Sequence, residues 1–162
     1  MIFKIKKHNQ ELYNTLLHLS RNLFFYNKVK LNDTFETRIY LMFIHFSIIL
    51  FIYKKKKISF PQNSYDDLFY CIENNLRELG FGDIAVNKKM KELNKLFYDI
   101  LLKINIDKES FKINHRLVIK YFEDLKDIKY KYFDDYFMKF YNFCFDKEAK
   151  IMLKEALNFK LN

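Results

Sequence analysis

The sequence predicts an all-α fold, and three observations carry that prediction. Apolar residues recur at helical spacing over most of the chain, and no stretch keeps a two-residue alternation. The only proline and the only two glycines of the 162 residues stand at 61, 80 and 82, where helices would end. The run from Ile39 to Tyr53 is apolar almost throughout, and a helix that is apolar all round is a buried one. The expected architecture is a single domain over residues 1–162, a bundle of about six to seven helices around that central apolar helix.

The first helix is expected from about Asn9 to Leu23, since Leu12, Leu16, Leu19 and Leu23 share one face, with Tyr13 and Leu17 beside it. Arg21 through Tyr26 leads into a loop ending at Asn32-Asp33-Thr34. Asp33 or Thr34 suits the N-cap of the next helix, with Asp33 and Glu36 as a box-like pair. The central helix follows. A bilayer span needs about 20 apolar residues; this run is shorter and contains His45 and Ser47, so a core helix is expected. Lys54-Lys55-Lys56-Lys57 then suit a helix C-terminus, as a solvated run or as a contact for phosphates.

Past Pro61, Ser64 to Leu102 reads as two helices joined by a tight turn. Tyr65, Leu68, Phe69, Ile72, Leu76 and Leu79 form the first stripe, with Ser64 and Asp67 as an N-terminal cap pair. Gly80 is expected just past the helix end, in the left-handed conformation that glycine enters without cost. Both glycines of the chain, Gly80 and Gly82, fall in the one turn Gly80-Phe81-Gly82-Asp83, which implies a special backbone there. Val86, Met90, Leu93, Phe97, Ile100 and Leu101 form the second stripe. Beyond Lys103, Asn105 to Ser110 reads as a loop. His115 to Ile128 reads as a helix through Val118, Tyr121, Phe122, Leu125 and Ile128, and Tyr130 to Phe145 as another. Asp146 is the expected cap of a last helix through Ile151, Leu153, Ala156 and Leu157.

Half of the residues are hydrophobic and 19% are aromatic, which excludes a disordered chain. Lys and Arg number 29 against 20 acids, a net charge of +9. That charge suits anionic neighbours such as RNA, a ribosome surface or acidic lipid, and equally the Lys- and Asn-rich usage of an AT-rich genome. Cys71 and Cys144 have no CxxC spacing and are expected as free thiols in a reducing compartment. Met1 to Lys7 lack the apolar region of a signal peptide and the Arg- and Ser-rich character of a transit peptide.

No enzyme signature emerges. His8, His18, His45 and His115 form no HxxxH, HExxH or ExxH, so the helical zinc and di-iron patterns are absent. His45 is expected as a buried neutral imidazole bonded to a neighbour; a haem-ligand role would want a second axial ligand on a facing helix. The glycine turn follows a helix and lacks both phosphate-loop patterns. Asp66-Asp67 and Asp134-Asp135 diverge by about 100° on a helix and form no dyad. No catalytic, cofactor-binding or metal-binding residue is expected.

Two blocks do resemble a known family. Leu76-Arg77-Glu78-Leu79-Gly80-Phe81-Gly82-Asp83-Ile84, then Lys88-Lys89-Met90-Lys91, then Phe97-Tyr98 form one. Arg21, Phe25 and Tyr26, then Asp33, Thr34, Arg38 and His45 form the other, upstream. In this order, over about Arg21 to Leu101, they resemble the ubiquinol–cytochrome c chaperone family. Leu23 and Asn32 stand where its pattern has prolines, and Thr37 and Asp99 where it has glycines. The resemblance implies a binding protein, not an enzyme: an assembly factor that holds newly made cytochrome b for the ubiquinol–cytochrome c reductase. It also implies a small partner chaperone subunit, a ribosome exit region contacted through rRNA or ribosomal protein, and peripheral contact with the inner membrane. It implies no specific DNA binding. With no presequence in view, a bacterial relative is expected, in the cytoplasm or at the inner face of the plasma membrane.

Carried over by this resemblance as structural or partner-binding are Arg21, Phe25, Tyr26, Asp33, Thr34, Arg38, His45, Arg77, Glu78, Gly80, Gly82, Asp83, Phe97 and Tyr98. Asp33, Arg38, Arg77, Glu78 and Asp83 are expected as a buried polar network locking the glycine corner onto the central helix, each arginine offering a fork to a carboxylate. Tyr132, Phe133, Tyr136, Phe137, Phe140, Tyr141 and Phe143 wrap much of a helix, as a client face or as a thick aromatic core. The alternative function is a peripheral membrane-docking module that binds anionic lipid through its lysines.

Overall fold

A helix apolar on every side has to be enclosed, and the chain is wound to enclose one. The computed structural model describes residues 9–106, 111–113, 115–122, 125 and 127–161. Its helices are α1 (Glu11–Ser20), α2 (Phe35–Lys55), α3 (Gln62–Glu78), α4 (Asp83–Lys103), α5 (His115–Tyr121), α6 (Asp127–Phe145) and α7 (Ala149–Ala156). A single π-helical turn, Phe24–Lys28, stands between α1 and α2. The class is all-α, with α2 at the centre. α1, α4 and α6 lie against α2; α3 bridges α1 and α4, and α7 bridges α1 and α6. Buried side chains stand on every side of α2, among them Leu41, Phe43, Ile44, Phe46, Ile48 and Ile49. The helix is long and apolar enough to cross a membrane by length and composition, but most of that length is buried by its neighbours.

Two short strands, β1 (Ile104–Ile106) and β2 (Phe111–Ile113), pair antiparallel beside α6, with Ile104 opposite Ile113 and Ile106 opposite Phe111. This hairpin replaces the loop expected over Asn105 to Ser110, of which 107–110 lie outside the described residues. Ile-Asn-Ile and Phe-Lys-Ile do alternate, but three residues are too few to register as a strand pattern. Five other expectations are corrected. α1 stops at Ser20, short of Leu23, because the Ser20 hydroxyl bonds back to Leu17 O at 2.7 Å and the Tyr26 hydroxyl takes Ser20 O at 2.7 Å. α3 begins at Gln62: Pro61 precedes it and its carbonyl receives the N–H of Ser64 at 3.1 Å, so Ser64 lies inside the helix and Asp67 is not its capping partner. Asp67 is buried and accepts the Asn9 N–H at 3.0 Å instead. α5 ends at Tyr121, short of Ile128; of the rest, 123, 124 and 126 lie outside the described residues. Glu148, not Asp146, is the residue before α7.

The end of α3 follows the glycine rule. Gly80 has φ +95°. Its N–H bonds Arg77 O at 3.0 Å and the next, Phe81 N–H, bonds Leu76 O at 3.2 Å, the pair of bonds that closes a glycine-terminated helix. Gly82 differs from expectation: its φ is −73°, and an added Cβ would meet nothing within 4 Å. Gly80→Ala should therefore destabilise by about 1 kcal/mol, while Gly82→Ala leaves the urea midpoint near wild type.

Ser47 Oγ is buried in α2 and finds no hydrogen-bond partner among the described residues. Burying an unpaired hydroxyl is costly, so Ser47→Ala should raise stability by about 1 kcal/mol, read by urea unfolding.

Candidate functional site

Three helix ends meet on one side of the bundle: the last turns of α1, the first turns of α2 and the last turn of α3. Between them is a cleft of about 730 Å³. Its walls are apolar, from Leu17, Phe35, Ile39, Met42 and Leu79, with Tyr13 and Asn75 joined by a hydrogen bond in which the amide donates to the phenol oxygen. Its rim is charged, from Arg21, Asp33, Arg38 and Glu78.

Local chemistry places each rim residue. Thr34 caps α2, its Oγ1 accepting the Thr37 N–H at 3.1 Å. Asp33 is thereby free for Arg38, which grips it with both edges of its fork, Nε to Oδ1 at 2.8 Å and Nη2 to Oδ2 at 2.9 Å. That pairing holds the Asp33 carboxyl below the usual range, its first cause being the hydrogen bond from Arg38. The expected Asp33–Glu36 pair does not form. Arg21 stands just past α1 and Glu78 ends α3; neither makes an ion pair with a described residue.

The five charged residues do not form the buried network expected of them. Asp33–Arg38 and Arg77–Asp83 are separate surface pairs, and Arg77 also holds Glu73 at 3.2 Å. Asp83 is 84% exposed, because it stands at the first turn of α4 outside the corner rather than beneath it. Glu78 belongs to the cleft. The structure therefore gathers Arg21, Asp33, Thr34, Arg38 and Glu78 and leaves the other nine residues elsewhere. Phe25 and Phe97 are core aromatics, Phe25 edge-on to Tyr136 at 4.5 Å and Phe97 stacked on Phe46 at 5.4 Å. Tyr26 ties off α1, Gly80 turns the corner, and Gly82, Asp83 and Arg77 lie on its outer side. Tyr98 stands on the exposed side of α4. Tyr13, Leu17, Phe35 and Asn75 were not singled out for the site by the sequence. The half-buried flank of the α1 stripe, Tyr13 and Leu17, was the one signal for them.

His45 is the remaining member of the upstream block. It is fully buried among Phe25, Phe137 and Phe140. Nδ1 lies 2.6 Å from Leu41 O and Nε2 lies 3.0 Å from the Tyr136 hydroxyl. With Nδ1–H donating to the carbonyl, Nε2 accepts from Tyr136, and both ring nitrogens of a neutral imidazole are used. Burial drives its pKa down to about 3. The aromatics of α6 are core for the same reason: Phe133, Tyr136, Phe137 and Phe140 are buried, while Tyr132 lies partly exposed under the Lys28 ammonium at 4.9 Å. Both cysteines are buried free thiols, and burial pushes Cys144 up to about 12. Among the described residues no group of three or more His, Cys, Asp or Glu is placed to hold a metal ion. The cleft offers walls for apolar side chains and, at its rim, one cation and one anion that have no ion-pair partner among the described residues.

A family model described as ubiquinol-cytochrome C chaperone matches residues 27–110, just over half of the chain. The match spans α2, α3 and α4 and so includes two of the three elements that build the cleft. No curated protein and no solved structure matches.

The His45 geometry predicts a pH dependence. Unfolded, the imidazole titrates near its ordinary value of about 6.5; folded, it resists protonation down to about 3. Between these values the unfolded state binds the extra proton, so stability falls as pH falls, by at most about 1.4 kcal/mol per pH unit. Urea unfolding from pH 7 to pH 4.5 should show this slope, and a His45→Asn variant should lose it.

Proposed function

The chain belongs to the ubiquinol–cytochrome c chaperone family, and from that premise we propose that it acts by binding, holding cytochrome b while the ubiquinol–cytochrome c reductase is assembled. The client contact is the cleft bounded by α1, α2 and α3. The observation that carries this reading is the convergence of Arg21, Asp33, Thr34, Arg38 and Glu78 on one apolar-walled cavity, although they are spread over three elements. A chaperone for a membrane protein needs apolar surface that its own core does not consume. Leu79, a wall residue of the cleft that is 60% exposed, is such surface. Arg21 and Glu78 then pair with polar groups that flank an apolar client segment. On this reading the protein works beside the inner membrane of a bacterium, where the client is inserted. A small partner subunit and the ribosome exit region are the further partners that the family suggests.

The test is a pull-down of the tagged chain from membranes solubilised in mild detergent, with the bound proteins identified by mass. Wild type should recover cytochrome b. Arg21→Glu combined with Leu79→Ser, both at exposed positions, should reduce that recovery about tenfold with an unchanged melting temperature. Undiminished recovery would move the client off the cleft, and its absence with wild type would remove cytochrome b as the client.

A further inference from the structure

α4 is 21 residues long and is covered on one side only. Val86, Leu93, Phe97 and Ile100 are its buried residues, turned toward α2 and α3. The opposite side carries Ile84, Lys88, Lys91, Lys95, Tyr98 and Leu102, all exposed. These positions advance by alternate steps of four and three, which keeps them within about 40° of one line along a helix. At 1.5 Å per residue the line is about 27 Å long.

Two features of this ridge are unusual together. Its aliphatic ends are almost wholly in solvent, Ile84 at 87% and Leu102 at 82%, with Tyr98 at 54%. Between them, Lys88, Lys91 and Lys95 make no ion pair with a described residue. The one carboxylate close to the line, Asp99, is already held by Lys103 at 2.5 Å, Lys120 at 3.3 Å and the Tyr121 hydroxyl at 2.7 Å. Those contacts hold its pKa at about 2, led by the hydrogen bond from Lys103. Glu92 stands at the flank of the ridge. The ridge is therefore cationic over its whole middle and apolar at both ends.

We propose that the outer face of α4 seats on an anionic lipid bilayer. Lysine stems can lie along an apolar layer while their ammonium groups rise to the head-group phosphates. Ile84 and Leu102 then enter the acyl boundary, and Tyr98 takes the interfacial position suited to a ring with a polar tip. RNA would satisfy the three lysines but offers no apolar layer for the two aliphatic ends. This surface is separate from the cleft, and the inference does not rest on the client reading.

Flotation of the full chain with vesicles of phosphatidylglycerol in phosphatidylcholine, against pure phosphatidylcholine, tests it. Binding to the anionic vesicles alone is expected, weakening with salt. Lys88→Glu/Lys91→Glu/Lys95→Glu should lower that binding on the order of 100-fold or more, each lysine near such a surface contributing about a fivefold factor. Ile84→Ser/Leu102→Ser should lower it severalfold, with the helical circular dichroism of both variants unchanged. Binding that survives the charge reversals, or that is equal on neutral vesicles, overturns the proposal. So does an Ile84→Ser/Leu102→Ser variant that binds as wild type, since the ridge is then a generic polyanion contact. Lysine-dependent capture of polyuridylate or polyglutamate with no flotation also overturns it.

Discussion

Everything in this fold depends on the need to enclose α2. Its apolar residues run around the whole helix, so no single partner can cover it. The chain answers by placing α1, α4 and α6 directly on α2 and spanning the gaps with α3 and α7. An enclosure built this way leaves the core dense in aromatic rings. Phe43, Phe46 and Phe97 cluster on one side of α2, and Phe25, Phe137 and Phe140 surround His45 on the other. Apolar packing alone tolerates sliding of one helix along another. The His45–Tyr136 hydrogen bond does not, because a shift of either helix would strand a buried polar group. The buried His45 imidazole thus favours one register of α6 on α2, which the rings around it could not specify.

Much of this was legible in the sequence, for reasons that are local. The apolar run of α2 announces its burial; its full 21 residues are long enough to span a bilayer, and it is the enclosure by neighbouring helices, not length, that marks it as a core helix. Gly80 announces the end of α3 because only one residue type enters that backbone freely. His45 was legible as a satisfied core residue, since an imidazole within an apolar run has to find partners. Boundaries were less legible where a side chain from elsewhere decides them. The end of α1 is fixed by Tyr26 reaching back to Ser20, and the start of α3 by Pro61, whose carbonyl opens the helix before Ser64 is reached. Lys57 is a related case: it closes α2 at φ +57°, a glycine-like position filled by a lysine that no pattern would flag.

The candidate site was legible only as a set of residues. Arg38 and Arg77 were legible as forks for a carboxylate, and the structure shows which one each holds, Asp33 and Asp83. Placing all five charges in one buried network failed because a corner between two helices is a surface feature. Its ion pairs then cross exposed turns, where water competes with them. What joins Arg21, Arg38 and Glu78 is the approach of three elements around α2, a tertiary fact with no local signature. One departure has a visible consequence: Asp99 stands where the family pattern that the sequence resembles has a glycine. It gathers Lys103, Lys120 and Tyr121 and so fastens α5 to the far end of α4.

The glycine corner also relates the two surfaces for which roles are proposed. Glu78 and Leu79 end α3 at the cleft, and Ile84 begins the α4 ridge five residues after Leu79. The backbone bonds at Gly80 close α3, and only four residues, 79 to 82, separate it from α4. A bilayer under α4 would then lie within one short connection of the cleft. For a client that leaves water for the membrane, a binding site close to a membrane-seated helix would shorten the path over which apolar segments are unprotected. The short corner is also where a backbone change would reach both surfaces, whereas a change on either surface alone would reach only one. Gly80 is the residue most sensitive to such a change, because it holds a positive φ that other residues enter only at a cost.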